Sequence, residues 1–429
     1  MATSWLARRL AGILKSAGTD VRVELVADHE TLDMLSAFAL AMLETGQATN
    51  DVEETVRSIA AAYSLDGFSV VVLPTFVILQ AGGQTAQFSS AKPAGSRLDE
   101  AGAVELLTAR ALRRELMPTD AVRLLNEALA ARPRFPWPLA WLGHVILTVG
   151  FGMVINPTAP AIPAYAVLGF GVGGLILLSR RFSGLAAAVP VVAAFAVTIV
   201  TTLWLSYLVG DSALRIIAPP LVSFLPGGTL TVAAIELTSN QVISGASRLV
   251  YGVAQLLLLT FGVFAASTIV GGLHSGTAQQ PLGWWGGLLG VALVAVGYTL
   301  FMSAPRGAFI WLVVALAVSY GAQALGAVLI GAALSGFFGA VVVAPFARFA
   351  SRFRGAPPAS VMSLACFWLL VPGALGFIGL SGVASDSINA LQTLTTAGLS
   401  VLAIALGAIV GIGVSRDAGR VTRLARRRS

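Results

Sequence analysis

Two short motifs place Pro-Gly inside otherwise apolar stretches: Phe224-Leu-Pro-Gly-Gly-Thr-Leu230 and Leu370-Val-Pro-Gly-Ala-Leu-Gly376. Proline removes an intrahelical donor and glycine relaxes the turn, so each motif can split a helix in two. Beyond Pro226-Gly227-Gly228, the amides of Gly228, Thr229 and Leu230 would open a new half-helix. The positive end of a helix is a place for a carboxylate. Pro372-Gly373 offers a second such place. Freed carbonyls or an acidic side chain would hold an ammonium group. The chemistry implied is reversible binding of a small polar ligand at a helix end; the alternative is a plain kink with no ligand. Glu236 stands one turn or so beyond the first break. A carboxylate deep in a bilayer costs about 2.5–3.5 kcal/mol on insertion scales. Such a group either carries protons or lies at the interface paired with Arg248. His144 sits inside an apolar stretch, where it either titrates near neutral pH or packs as a hydrogen-bonded histidine. Asn156, Asn240 and Gln241 are polar residues near the ends of such stretches and could line a path.

Other chemistry is missing from the sequence. There is no G-x-S-x-G, P-loop or HExxH, and no Cys/His pair. The single cysteine, Cys366, excludes a disulfide framework and a Cys-based zinc site, and reads as a small core filler. His29, His144 and His274 share no metal-ligand spacing. Gly82-Gly83 reads as a turn, and Asp51, Glu53 and Glu54 as the solvated first turn of a helix. No catalytic residue, metal or cofactor is expected, and no nucleic-acid partner. A membrane-tethered hydrolase would have to use residues 25–135, which carry no nucleophile–base motif. A channel or a scaffold remains a further class, against which two Pro-Gly breaks at matched positions argue for alternating access.

The elements that must position these residues follow from composition. The chain has 429 residues, 56% hydrophobic and only 11% charged, with a mean hydropathy of +0.84. Soluble domains carry about 25% charged residues. The fold class expected is a polytopic α-helical membrane protein preceded by a small cytoplasmic α+β domain. Residues 1–136 hold 13 basic and 16 acidic residues, whereas 137–429 hold 14 basic and 4 acidic. The basic excess therefore belongs to the flanks of the apolar spans. Residues 1–24 read as an amphipathic or disordered N-terminus rather than a signal peptide. Residues 25–135 read as the α+β domain. Its expected helices are Thr31 to Glu44, then one opened by an Asn50/Glu53 capping box and running to Tyr63, then Leu98–Leu116 and Pro118–Ala131. Its expected strands are Phe68–Leu73, Phe76–Gln80 and Gln84–Ser90, with a loop at Lys92–Ser96.

Ten spans of roughly 17–25 residues follow: 139–156, 161–179, 184–209, 214–235, 249–272, 284–302, 307–322, 325–346, 359–382 and 391–414. With the N-terminal domain in the cytoplasm, the inner connections and the two flanks hold 15 basic residues, among them Arg180, Arg181, Arg248, Arg306, Arg348, Arg354 and the tail 416–429. The outer connections hold one, Arg215, and also Asp386, which reads as solvated. That asymmetry places both termini on the cytoplasmic side of a cell membrane, with the arginines on anionic lipid headgroups. The two Pro-Gly motifs fall in the fourth span of each five-span half, 136–272 and 273–415. Five is odd, so the halves enter the membrane in opposite directions, as a 5+5 inverted repeat. Oligomeric state leaves no trace in the sequence.

These residues resemble the threonine/serine exporter family over nearly the whole chain beyond residue 30. In the soluble part, Glu44-Thr-Gly-Gln-Ala-Thr-Asn-Asp-Val-Glu-Glu-Thr-Val-Arg57 and Val70-Val-Val-Leu-Pro-Thr75 are similar to its N-terminal pattern. In the membrane part, Leu225-Pro-Gly-Gly-Thr-Leu230, Glu236 and Val242-Ile-Ser-Gly-Ala-Ser-Arg248 resemble its fourth-span signature, and Val371-Pro-Gly-Ala-Leu375 the signature of its second half. The family carries Asp more often where Glu236 stands. The resemblance implies export of L-threonine and L-serine driven by the proton gradient. Export of another small acid or a dipeptide is the neighbouring reading.

Overall fold

The computed structural model describes residues 29–81, 85–90, 97–179, 187–274, 276–277, 279–353, 355–370, 372–384 and 390–426. The expectations for residues 1–24, Gly82-Gly83, Lys92–Ser96, Arg180, Arg181, Arg354, Val371, Asp386 and the last arginines, Arg427 and Arg428, lie outside these. The described residues fall into two compact units, one drawn from Met1–Ser96 and Ala103–Ala131, the other from Arg97–Gly102 and Arg132–Ser429.

The first unit is an α+β domain. Helix α1 covers residues 29–44 and α2 covers Thr49–Ala62. Strands β1 (Ser69–Leu73), β2 (Phe76–Ala81) and β3 (Thr85–Ser90) form an antiparallel sheet in the order β1-β2-β3. Alternation along the strands buries Val70 and Val72 beside their partners Leu79 and Val77, as a half-buried sheet requires. That face meets Met34, Leu35, Phe38 and Met42 of α1 and Val52, Val56 and Ile59 of α2 in one apolar cluster. Helix α3 (Leu98–Leu112), which belongs to this unit from Ala103 on, and α4 (Pro118–Ala130) follow, α4 opening with its proline at the first turn as expected. The Asn50/Glu53 capping box does not form. Extended Ala48 lets α2 start two residues early, at Thr49 rather than Asp51, with no side-chain cap. Asn50 instead donates to Asp51, and Glu53 pairs with Arg57.

The second unit is helical. Eight described segments are long and apolar enough to cross a membrane: Trp137–Ile155, Ala159–Ser179, Val189–Val209, Val242–Val270, Trp284–Phe301, Ala308–Ile330, Ala359–Val383 and Leu391–Ser415. They comprise α5 (Trp137–Ile155), α6 (Ile162–Ser179), α7 (Val189–Val200), α8 (Ser206–Val209), α11 (Val242–Val270), α12 (Trp284–Phe301), α13 (Ala308–Ile330), α15 (Ala359–Leu369), α16 (Pro372–Ala384) and α17 (Ala390–Arg426). A π turn, Thr201–Leu205, joins α7 to α8. Leu208, Ile243 and Val328 stand 79%, 73% and 85% exposed, an apolar outer surface suited to lipid rather than water.

The remaining two expected spans differ. Residues 214–235 do not form one helix. They divide into α9 (Ala213–Ile217), a 3-10 turn (Pro219–Phe224) and α10 (Gly227–Thr238), because Pro219, Pro220 and Pro226 each withhold a backbone donor. The expected boundary between residues 322 and 325 is also absent. Nothing in Gly321-Ala-Gln-Ala-Leu325 stops a helix, so α13 continues to Ile330, where Gly331 at φ 87° ends it. Helix α14 (Gly336–Ala350) is then only 15 residues long. Conversely, α11 starts at Val242 rather than 249 and reaches 29 residues, about 44 Å at the α-helical rise.

Glycine sets the closest helix contacts. Helix α5 lies on α12, and a Cβ on Gly150 would come 2.6 Å from Val294 N, one on Gly297 2.5 Å from Leu147 N. Small residues at such positions let backbones approach where no hydrophobic drive exists between helices in lipid. Helix α10 packs on α11, α15, α16 and α17; α16 packs on α11 and α17; α7 packs on α11, and α14 on α13 and α17.

Gly297→Leu is expected to cost about 3 kcal/mol by overpacking the α5–α12 contact. Gly321→Leu, at an exposed site with nothing within 4 Å of its Cβ position, is expected to leave stability unchanged. Thermal unfolding of both variants in detergent measures the difference.

Candidate functional site

The two Pro-Gly breaks, 146 residues apart, meet in the second unit. Leu225 and Leu230, on either side of the first, share an apolar cluster with Ala374 and Phe377 just after the second. Ala234 and Ile235 of α10 share another with Leu370, which precedes the second break. Helix α11 runs beside both. A Cβ on its Gly252 would lie 3.7 Å from Pro226 Cβ, and its Leu256 Cδ1 lies 3.2 Å from the Cβ position of Gly376. Pro372 opens α16 as Gly227 opens α10.

At the first break Pro226 takes φ −80°, ψ 36°, and no side chain caps α10. Some of the freed backbone groups find partners. Gln255 Nε2 donates to the Phe224 carbonyl at 2.8 Å, and Thr231 Oγ1 donates to the Gly227 carbonyl at 2.9 Å. The Leu230 amide, expected among the free donors, donates to the Pro226 carbonyl at 2.9 Å. The proline carbonyl points along the new helix and supplies its first acceptor. The amides of Gly227, Gly228 and Thr229 make no backbone hydrogen bond among the described residues. Three unpaired donors at the start of a 12-residue helix can hold an anion.

Glu236 lies nine residues beyond Gly227 on α10, about 14 Å along the axis rather than one turn. It is fully buried, and Arg248 Nε of α11 lies 3.1 and 3.2 Å from its two carboxylate oxygens. The pairing suggested by the sequence is made, but away from solvent. Asn240, at φ 65°, forms the turn between α10 and α11, and the Gln241 amide donates to the Glu236 carbonyl at 2.9 Å. His144 is buried on α5, apart from both breaks. Its Nδ1 lies 3.0 Å from the Gly169 carbonyl on α6, its ring stands edge-on to Phe301, and Nε2 has no partner among the described residues.

A second buried carboxylate escaped sequence reasoning. Asp211 precedes α9 and is fully buried. It accepts from Asn156 Nδ2 at 2.9 Å and from the Ser212 amide at 2.7 Å, and lies 3.5 Å from Arg215 Nη1. Asn156 Nδ2 also reaches Tyr165 Oη at 3.1 Å. Asn156 is thus a structural partner of Asp211 at the start of the broken segment. An acidic residue beside Gly210 looks like an ordinary loop residue in sequence, and no motif along the chain signals its burial.

A family profile described as "Putative threonine/serine exporter" (ThrE) matches residues 33–270, from α1 to the last residue of α11. No curated protein and no solved structure matches the chain.

Removing one partner of a buried ion pair strands the other charge. Arg248→Met is expected to lower stability by about 3–5 kcal/mol, and the added Glu236→Gln to recover most of it. Thermal unfolding of the single and double variants checks the cycle.

Proposed function

The chain belongs to the threonine/serine exporter family, and on that basis we propose that it is a secondary transporter carrying L-threonine and L-serine out of the cytoplasm, driven by the proton gradient. The observation that carries this reading is the meeting of two broken segments beside three unpaired amides. A zwitterion crossing a bilayer needs both charges satisfied. The amides of Gly227, Gly228 and Thr229, freed by Pro226, would take the carboxylate. Pro372 and Gly373 would form the symmetry-related place, and carbonyls freed at the breaks would take the ammonium group.

Exchange of the five-helix halves gives a matching set of neighbours, which supports an inverted repeat. Contact of α7 with α11 corresponds to α14 with α17, α10 with α17 to α16 with α11, and α5 with α6 to α12 with α13. The family match ends at Val270, where the first half ends. In this arrangement the protein spans the cell membrane with both termini in the cytoplasm, as the arginine distribution favours, and its basic flanks rest on anionic lipid.

Glu236 is the candidate proton carrier. Protonation of its carboxylate would remove the negative charge holding Arg248 and free α10 from α11 at that end. His144 is the second candidate, through its unpartnered Nε2.

Labelled L-threonine flux in proteoliposomes under an imposed proton gradient tests the reading. Wild type is expected to show gradient-driven flux, and Glu236→Gln to lose at least about 90% of the gradient-dependent part, as a coupling carboxylate requires. Full gradient dependence in Glu236→Gln removes that residue from the mechanism. No wild-type threonine flux in folded protein removes the substrate assignment.

A further inference from the structure

Several polar groups in the second unit have no partner among the described residues, and three of them are linked to the start of α10 by contact or by sequence. Trp368, on α15 one turn before the second break, is half-buried. Its Nε1 lies 3.5 Å from the Cβ position of Gly228 and takes part in no described hydrogen bond. Tyr298, on α12, is fully buried with its hydroxyl unpartnered, and its ring stands edge-on to Trp368 at 5.3 Å. Ser223 Oγ, in the 3-10 turn that leads into the first break, is buried and unpartnered. Its neighbour Val222 shares an apolar cluster with Tyr298 and Leu369. Buried hydroxyls are ordinarily satisfied by protein, ordered water or a ligand, so the unpaired hydroxyl of Tyr298, whose ring rests on Trp368, is a candidate ligand contact.

We propose that Trp368 and Tyr298, contributed by the second half, complete the ligand site opened by the first-half break. The Trp368 indole N–H joins the amides of Gly228 and Thr229 on the ligand's carboxylate. The Tyr298 hydroxyl bonds the ligand's side-chain hydroxyl. The site thereby selects small hydroxyl-bearing amino acids over their apolar isosteres. This rests on the transport reading above and adds the residues that set its specificity. Gly228 is part of the same recognition, because a Cβ there would touch the indole nitrogen. Because the donors come from both halves, any movement of one half against the other takes the site apart.

The test compares L-threonine with L-valine, which replaces the hydroxyl by a methyl group, in proteoliposomes holding the full chain. Tyr298→Phe is expected to cut the threonine-over-valine preference about tenfold, through a higher KM for threonine with valine unchanged, since a site built to bond a hydroxyl rejects the analogue without it. Trp368→Phe is expected to raise KM for both about equally, leaving the preference intact. An unchanged preference in Tyr298→Phe, or an unchanged KM in Trp368→Phe, overturns the assignment of that residue. Thermal stabilisation of the detergent-solubilised protein by L-threonine, L-valine and L-lactate gives a readout independent of flux. If wild type moves no threonine but is stabilised by a hydroxyl-bearing ligand, and Tyr298→Phe is not, the site stands and the transport reading falls. If none of the three stabilises wild type, both fall.

Discussion

A backbone amide or carbonyl removed from water must find a partner, and a broken helix exposes several at once. The membrane unit is organised around that demand. The break at Pro226 is tolerated because neighbours answer part of it. Gln255 reaches across from α11 to the Phe224 carbonyl, Thr231 turns back to the Gly227 carbonyl, and the Leu230 amide takes the Pro226 carbonyl. Three amides are left without a backbone partner among the described residues, and Trp368, four residues before Pro372, stands beside Gly228 at that helix start. Close glycine contacts serve the same end. Without a Cβ on Gly252 or Gly376, α11 can lie against both breaks and hold them together.

Charge is treated with the same economy. The membrane half of the sequence has four acidic residues, and two of them, Asp211 and Glu236, are fully buried. They stand at the two ends of the broken segment. Asp211 is met by Asn156, the Ser212 amide and Arg215 ahead of α9, and Glu236 by Arg248 near the end of α10. A carboxylate in such surroundings persists only with partners of this kind. The segment most interrupted by proline is therefore fastened at both ends by ion pairs while its middle is left open. On the proposed reading, a fastening that a proton can weaken is what lets the open middle change sides.

Much of this is legible along the chain. Apolar length and scarce charge identify the spans. Proline at residues 118, 226 and 372 marks helix starts, because a residue with no amide proton suits the first turn and little else. Runs of β-branched and aromatic residues identify β1 and β2, though not which of their valines are buried. Where reading along the chain fails, the cause is local competition. Ala48 rather than Asn50 precedes α2, and α13 runs past its expected end because only Gly331 can stop it.

Residue type and nearest neighbours are enough to dictate that helices form, roughly where, and at which residues they break. They are not enough to bring the two breaks together, to pair Glu236 out of reach of water, to bury Asp211, or to set Trp368 and Tyr298 against the first break. Those outcomes come from the packing of the folded chain. The three residues carry no motif, and their significance lies in what surrounds them. An unsatisfied hydroxyl or a buried carboxylate is a property of contacts between segments far apart in the chain, and no pattern along the chain records it.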